Sequence, residues 1–577
     1  MNAPALTIDR VDLRVRLPES QLDRRAMLER VRERVLQGAL EAALAAEGLL
    51  GEELVCVRSV AISLRLDPRA GERAWIDRWV EALTRDLQAI LREGDPQRVI
   101  RYPSPRAALA DMARSVARGD LRRAWAWAQL GLGDAASLAQ IGSAREQLLG
   151  ALLRRPELIV AVLGQLARAP AFAARLLGSV APRRWSELAA AALRAHGIAA
   201  ASAAETVVEL ATGHDPGELA SGPSSTTRTI AERSAEASSR SPLATLARRE
   251  LARARERGES LEVPRALAVL ALLEAEPMRA RRVLAERGGV EWLLASWASR
   301  PEPAAPKRSR PVTKIRESAP ALRDPAVDQS SSRARPEPSS PAERSDQASA
   351  RTPSQPSRPL ASDPASPAER SELGNAPDPT GDPRSITEDE APMLEPWRDE
   401  PLDARARGRS EWAGLLLLIP VLRRDGLYSE LDAIAEALAL DFRALLHAFG
   451  RALVPASVAA EDPALLGFVG LTPDADPPTL SPEQAGQLAL SERFAELRTR
   501  LIAALEARLA PRTHRPSRGE ALLAWLLRRR GELIGEPGWL ELHLELREVD
   551  TDIRRAGLDL NPDWVPELGA VLRFVYV

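Results

Sequence analysis

Leu121–Ala136 reads LRRAWAWAQLGLGDAA, and two folds compete for it. Gly131-Leu132-Gly133-Asp134-Ala135-Ala136 carries the glycines of a degraded dinucleotide-binding fingerprint, which needs a strand before it and a helix after it. Leu121–Leu130 instead continues a helical pattern, so the glycines read as a helix–helix joint. A parallel α/β fold loses its signature motif, and a mainly α chain takes its place. Working outward, residues 106–212 are helical throughout. Gly119-Asp120, Pro156, Pro170 and Pro182 punctuate them, which predicts short helices with tight joints.

Toward the N-terminus the pattern changes. Val11, Leu13, Val15 and Leu17 alternate with Asp12, Arg14 and Arg16, the period-two mark of a half-buried strand. From Gln21 to Glu47, Leu22, Met27, Leu28, Val31, Val35, Leu36, Leu40 and Leu44 recur mostly at three- and four-residue spacing, predicting a long amphipathic helix closed by Gly48 and Gly51. Val60, Ile62, Leu64 and Leu66 predict a second strand. A second helix then places Trp75, Trp79 and Leu83 on one face.

Toward the C-terminus, residues 213–243 are rich in Ser, Thr, Gly and Pro and predict a flexible break. Helices resume to about residue 300. Residues 301–400 then hold 19 of the 46 prolines, 14 basic and 18 acidic residues and no Phe or Tyr, and SPAERS occurs at both Ser340–Ser345 and Ser366–Ser371. Such a segment buries too little apolar surface to offset its ordering entropy, so a disordered linker is expected. After it, Ser410–Leu422, Glu430–Gly450 and Ala485–Arg530 predict packed helices. Leu540, Leu542, Leu544 and Leu546 alternate with Glu541, His543 and Glu545, Gly557–Pro566 turns the chain, and Val571–Val577 is a closing β segment.

The expected fold class is therefore mainly α and multidomain, with small α/β elements at both termini and a long disordered Pro/Ser-rich linker. The expected segments are 1–92, an N-terminal strand-helix-strand-helix unit; 93–212, a helical domain; 213–243, the break; and 244–300, a helical segment. They continue as 301–405, the linker; 406–536, a C-terminal helical domain; and 537–577, a C-terminal β segment whose strands are free to pair with the N-terminal ones.

The scarce residues exclude most familiar chemistry. Of 79 basic residues only Lys307 and Lys314 are lysines, and both lie in the Pro/Ser-rich stretch. A P-loop is absent, and a buried Schiff-base lysine is not expected. Cys56 is the only cysteine, so an internal disulfide, a CxxC pair and a multi-cysteine metal site are excluded. The five histidines, His196, His214, His447, His514 and His543, form no HExxH or close pair. Balanced charge, with 79 basic against 81 acidic residues, argues against nucleic acid and anionic membrane as partners.

The remaining candidates all read as structural. His543 reads as a solvent-facing strand histidine rather than a general base. The pairs Asp9/Asp12 and Asp559/Asp563 are spacings that so acidic a chain produces by chance. Trp125/Trp127 and Trp292/Trp297 read as packing anchors, not ligand platforms. Arg24-Arg25 is met by nearby acid and Arg528–Arg530 stands alone, so no nucleic-acid surface is expected. No catalytic, cofactor-binding or metal-ligating residue is assigned. No cofactor or small-molecule substrate is expected.

The N-terminus, MNAPALTIDRVDLRVRL, carries charge where a signal peptide has its apolar core. The longest apolar run, Trp412–Leu422, is 11 residues and contains Pro420, against about 20 for a membrane span. A cytoplasmic, membrane-free protein is expected.

Several stretches together resemble contractile injection system tape measure proteins, of phage-tail-like particles that fire an inner tube through a contracting sheath. They are IDRVDLRVRL with its following helix, VRSVAISLRLD with the tryptophan-bearing helix, RYPSPRAALADMARSVARGDLRRAWAWAQLGL, SEWAGLLLLIPVLRRDGL and RRAGLDLNPDWVPELGAVLRF. The resemblance covers roughly half the chain and none of its motifs is catalytic. It implies a non-enzymatic structural and assembly protein that sets tube and sheath length. Its partners would be the particle's tube, baseplate or cap proteins, and its place the tube lumen after synthesis in the cytoplasm. The alternatives are a multidomain adaptor or scaffold unrelated to injection particles, and a hydrolase with an unrecognised carboxylate site.

Overall fold

The computed structural model describes residues 24–49, 53–67, 69–198, 241–285, 289–299, 405–509, 516 and 518–577. These are mainly α-helical, and those up to Ser299 fall in one compact unit with those from Arg405 onward. The strand expected at Val11–Leu17, the linker apart from Arg405, and nearly all of the expected break lie outside the described residues. Ser241, at the end of that break, caps the helix Pro242–Arg257 by accepting from the Ala244 amide.

The expected first helix runs from Arg25 to Ala46 with a π-helical turn at Val35–Ala39. It buries Met27, Val31, Leu40 and Leu44 against Trp75 and Trp79 of the helix Glu72–Glu93, a small core of its own. The strand expected at Val60–Leu66 does not form. Instead β1, Leu54–Val57, pairs antiparallel with β2, Val99–Tyr102. Ile62, Leu64 and Leu66 pack partly buried against the tryptophan core while the residues between them are exposed. The alternation is real, but it reports one-sided packing without a ladder partner.

Helices from Pro105–Arg118 to Pro182–Ala195, and from Pro242–Arg257 to Gly289–Ser299, share one hydrophobic core in which Leu109, Trp127, Leu148, Leu188 and Leu267 are buried. Trp127 and Trp297 are packing residues of this core, and Trp125 lies partly buried against it. The start of the segment is set by Ser104, whose side chain caps the Pro105–Arg118 helix, with Pro105 at the first helical position.

The C-terminal half has a second core. Ala413–Leu418 is a 3₁₀ stretch that passes into the helix Ile419–Arg424, and every residue from Ala413 to Leu422 is buried. The stretch 406–536, expected to be helical, begins and ends in strands: β3 is Ala406–Ser410 and β4 is Gly531–Glu536. With β5, Trp539–Leu544, β6, Asp563–Val565, and β7, Ala570–Tyr576, they form a sheet in the order β3-β4-β5-β7-β6. The β5–β7 pair is parallel and the other pairs are antiparallel. Among the described residues the two-stranded β1–β2 sheet stands apart from it, so the strands described at the two ends do not pair.

The sheet's two faces go to different cores. Leu540, Leu542 and Leu544 of β5, with Leu572 and Phe574 of β7, join the C-terminal core. Trp539 and Val571, cross-strand partners on the opposite face, belong to the core of the N-terminal half. Period two thus sorts one strand's side chains between two halves of the protein.

Candidate functional site

The register of β4 and β5 places Glu536 opposite Trp539 and Ile534 opposite Glu541, so these four side chains share the face turned to the N-terminal half. Glu536 meets the turn before the Pro105–Arg118 helix. Its Oε1 accepts from Ser104 Oγ at 2.5 Å, and its Oε2 accepts from Arg106 Nη1 at 2.5 Å. Arg106 is 2% exposed, and its Nη2 reaches Ala161 O at 3.4 Å. Burial pushes the Arg106 guanidinium pKa down, and the Glu536 carboxylate opposes that shift.

Glu541 is 3% exposed and saturated. Arg405 Nη1 and Nη2 donate to its two oxygens at 2.7 and 2.8 Å, and Trp539 Nε1 donates at 2.7 Å. His543 Nε2 lies 3.4 Å away. Burial pushes the carboxyl up, but the bonds from His543, Arg405 and Trp539 with the Arg405 charge hold it at about 2. Arg405 Nη2 also donates to Pro103 O at 2.9 Å, so one guanidinium ties the C-terminal sheet to the residue before Ser104. His543 is not the solvent-facing residue that its alternation predicts; it is half-buried beside Glu541.

A second buried network holds Tyr102, which precedes the same turn. Tyr102 OH donates to Asp111 Oδ2 at 2.8 Å, Trp127 Nε1 donates to Tyr102 OH at 3.1 Å, and Arg123 Nη1 pairs with Asp111 Oδ1 at 2.7 Å. Burial and the Asp111 charge raise the Tyr102 phenol pKa. These bonds fix the RYPSPR turn from inside, while Glu536 and Arg405 fix it from outside.

The seam continues along the helices Pro277–Ala285 and Phe442–Leu453. Arg279 Nη2 donates to Leu440 O at 3.1 Å, and Arg282 Nη2 to Asp432 O at 2.8 Å. Arg443 reaches both Ala275 O, at 3.3 Å, and Leu568 O, at 3.2 Å. Trp564 Nε1 donates to Ala195 O at 2.8 Å, and its ring meets His196 edge-on at 5.0 Å. Burial pushes the His196 imidazole down to about 4, despite the bond to Ala192 O.

The other sequence candidates do not join this seam as chemistry. Gly131–Ala136 links the helix Ala124–Gln129 to a 3₁₀ turn at Ser137–Ala139. Asp559 is buried and accepts from Tyr576 OH at 2.8 Å, whereas Asp563 is exposed. Asp9 and Asp12 lie outside the described residues, as does the Trp292 side chain. Arg24 and Arg25 lie at the start of the first helix, Arg25 exposed. Arg529, central in Arg528–Arg530, is buried over the Trp525 ring and donates to Glu548 O at 2.9 Å. Cys56 is buried, its thiol directed at Ala126 O at 3.8 Å.

These bonds attach the C-terminal sheet to the turn before the Pro105–Arg118 helix. Ser104 Oγ donates to the Glu536 carboxylate and accepts from the Ala107 amide, and that carboxylate is also paired with Arg106. Glu541 stays ionised far below neutral pH and is fully bonded, so it has no proton to give at pH 7. Among the described residues no group of three His, Cys, Asp or Glu side chains could hold a metal ion, and no helix is long and apolar enough to cross a membrane. No family model matches the chain, and no curated protein or solved structure matches it.

Proposed function

We propose that this chain is a non-enzymatic assembly protein of a contractile injection particle that acts as its tape measure, meeting tube, baseplate or cap proteins. One observation supports the reading: three of the stretches that resemble that family either contribute residues to the seam or bond to one that does. Pro103, Ser104 and Arg106 come from RYPSPRAALADM. Within the C-terminal half, Arg423, from SEWAGLLLLIPVLRRDGL, donates to the main-chain carbonyl of Trp564 in RRAGLDLNPDWVPELGAVLRF at 3.1 Å. Trp564 in turn reaches Ala195.

The mechanism is geometric. Tube subunits add until the far end of the chain is covered, so chain reach limits length. While the seam is closed, the 105 residues between Ser299 and Arg405 leave one body and return to it, and a closed loop reaches only half its contour, about 180 Å. With the seam and the cores on either side of it open, 577 residues would reach about 870 Å as continuous helix and roughly twice that when extended. Opening the seam would be the first step from the folded chain toward a long assembled one.

The alternative is a multidomain adaptor or scaffold unrelated to injection particles. Electron microscopy of particles from a strain lacking the protein tests the reading. Particles without length control, or none at all, are expected. Tubes of normal, uniform length sink it.

A further inference from the structure

We propose that the two halves of the chain, up to Ser299 and from Arg405 onward, are each other's binding partner, so that the body persists as a non-covalent pair when the connection between them is cut. This rests on the seam alone and not on the injection-particle reading.

The contact has the composition of a protein–protein interface. Trp539 and Val571 of the C-terminal sheet are buried in the N-terminal core, and Met278 of the N-terminal half is buried in the C-terminal core. Aromatic and arginine anchors surround them, the residue types that carry binding energy at interfaces. Arg405, Arg279, Arg282 and Arg443 each reach a main-chain carbonyl across the boundary, and Trp564 reaches a fifth. A carbonyl is held in place by the fold of its own half, so these bonds select a correctly folded partner and not simply an acidic one. Four ion pairs add charge: Arg106 with Glu536, Arg281 with Glu567, and Arg282 with both Asp432 and Glu436.

The fit extends to the backbone. At Gly538 a Cβ would stand 2.5 Å from Ala161 Cβ, so the β4–β5 turn approaches the helix Ile159–Ala167 as closely as a glycine allows. A connection of 105 residues raises the local concentration of one half around the other but adds no contact to this surface. The specificity and the energy reside in the seam.

The chain supplies its own test. Lys307 and Lys314 are its only lysines, so a lysine-specific endoprotease cuts the unmodified folded protein at two bonds, both inside the connection. The expected product is one native particle that contains fragments 1–307 and 315–577 in equal amounts, by size exclusion and native mass spectrometry. Fragments that elute separately under native conditions overturn the proposal. Should the two bonds resist cleavage, a protease site inserted between Ser345 and Asp346 gives the same readout. In the cut protein, Glu536→Ala is expected to weaken association at least tenfold, while Glu93→Gln, at an exposed pair with Arg98, leaves it unchanged. Equal affinity in both variants would also overturn it.

Discussion

Arg106 and Glu536 stand 430 positions apart in the chain, yet Nη1 of one lies 2.5 Å from Oε2 of the other. The guanidinium is almost wholly buried, and the carboxylate shares its other oxygen with Ser104. One ion pair thus binds the first turn of an N-terminal helix to the end of a C-terminal strand.

Removing one partner of that pair leaves the other buried and unpaired. Glu536→Ala or Arg106→Ala is expected to cost about 3–5 kcal/mol in unfolding free energy. The double variant Arg106→Ala/Glu536→Ala is expected to cost clearly less than the two single changes summed. Denaturant melts of the four proteins give the cycle, and strict additivity would contradict it.

Gly538 tests the closeness of the two halves. Its φ is 81°, and a Cβ there meets Ala161 Cβ. Gly538→Ala is expected to destabilise by both backbone strain and clash. Adding Ala161→Gly removes the clash and leaves the strain, about 1–2 kcal/mol. If the second change restores nothing, the β4–β5 turn does not rest on that helix.

Two groups at the seam with lowered pKa, His196 and Glu541, act in the same direction, whereas Asp432, whose carboxyl burial pushes up, acts in the opposite one. His196 is held neutral, its pKa lowered from 6.5 to about 4. Between those values the unfolded chain binds the extra proton, so stability rises with pH there. The contribution, roughly 3 kcal/mol, is complete above pH 6.5 and is lost as pH falls toward 4. Glu541, lowered from 4.5 to about 2, loses its contribution in turn as pH falls below 4.5. His196→Phe should flatten the first window and leave the second. A melting series from pH 7 to pH 3 checks both, and an unchanged slope in His196→Phe between pH 6.5 and 4 would contradict the assignment.

The helices were legible because a buried stripe repeats every three or four residues, as Met27, Val31 and Val35 do. So were β5 and β7, where leucines and valines mark the faces. The strands β1 and β2 were missed because four residues each give no period to read, and β3 because Ala-Arg-Gly-Arg-Ser is polar and sits at a sheet edge. The seam was hidden for a different reason. A chain with 77 arginines gives no single one prominence, and pairing across hundreds of positions leaves no local trace. The one available signal was Glu541, an acid set between Trp539 and His543 on a strand; a tryptophan on the supposedly wet face marks that face as covered.

The central claim is that the reach of this chain sets tube length. The most direct measurement is the distribution of tube lengths, by electron microscopy, in particles made with a chain lacking residues 310–390. The account predicts tubes that are uniformly shorter than those made with the full chain. Tubes of unchanged length in that strain, and equally in a strain without the protein, would contradict it.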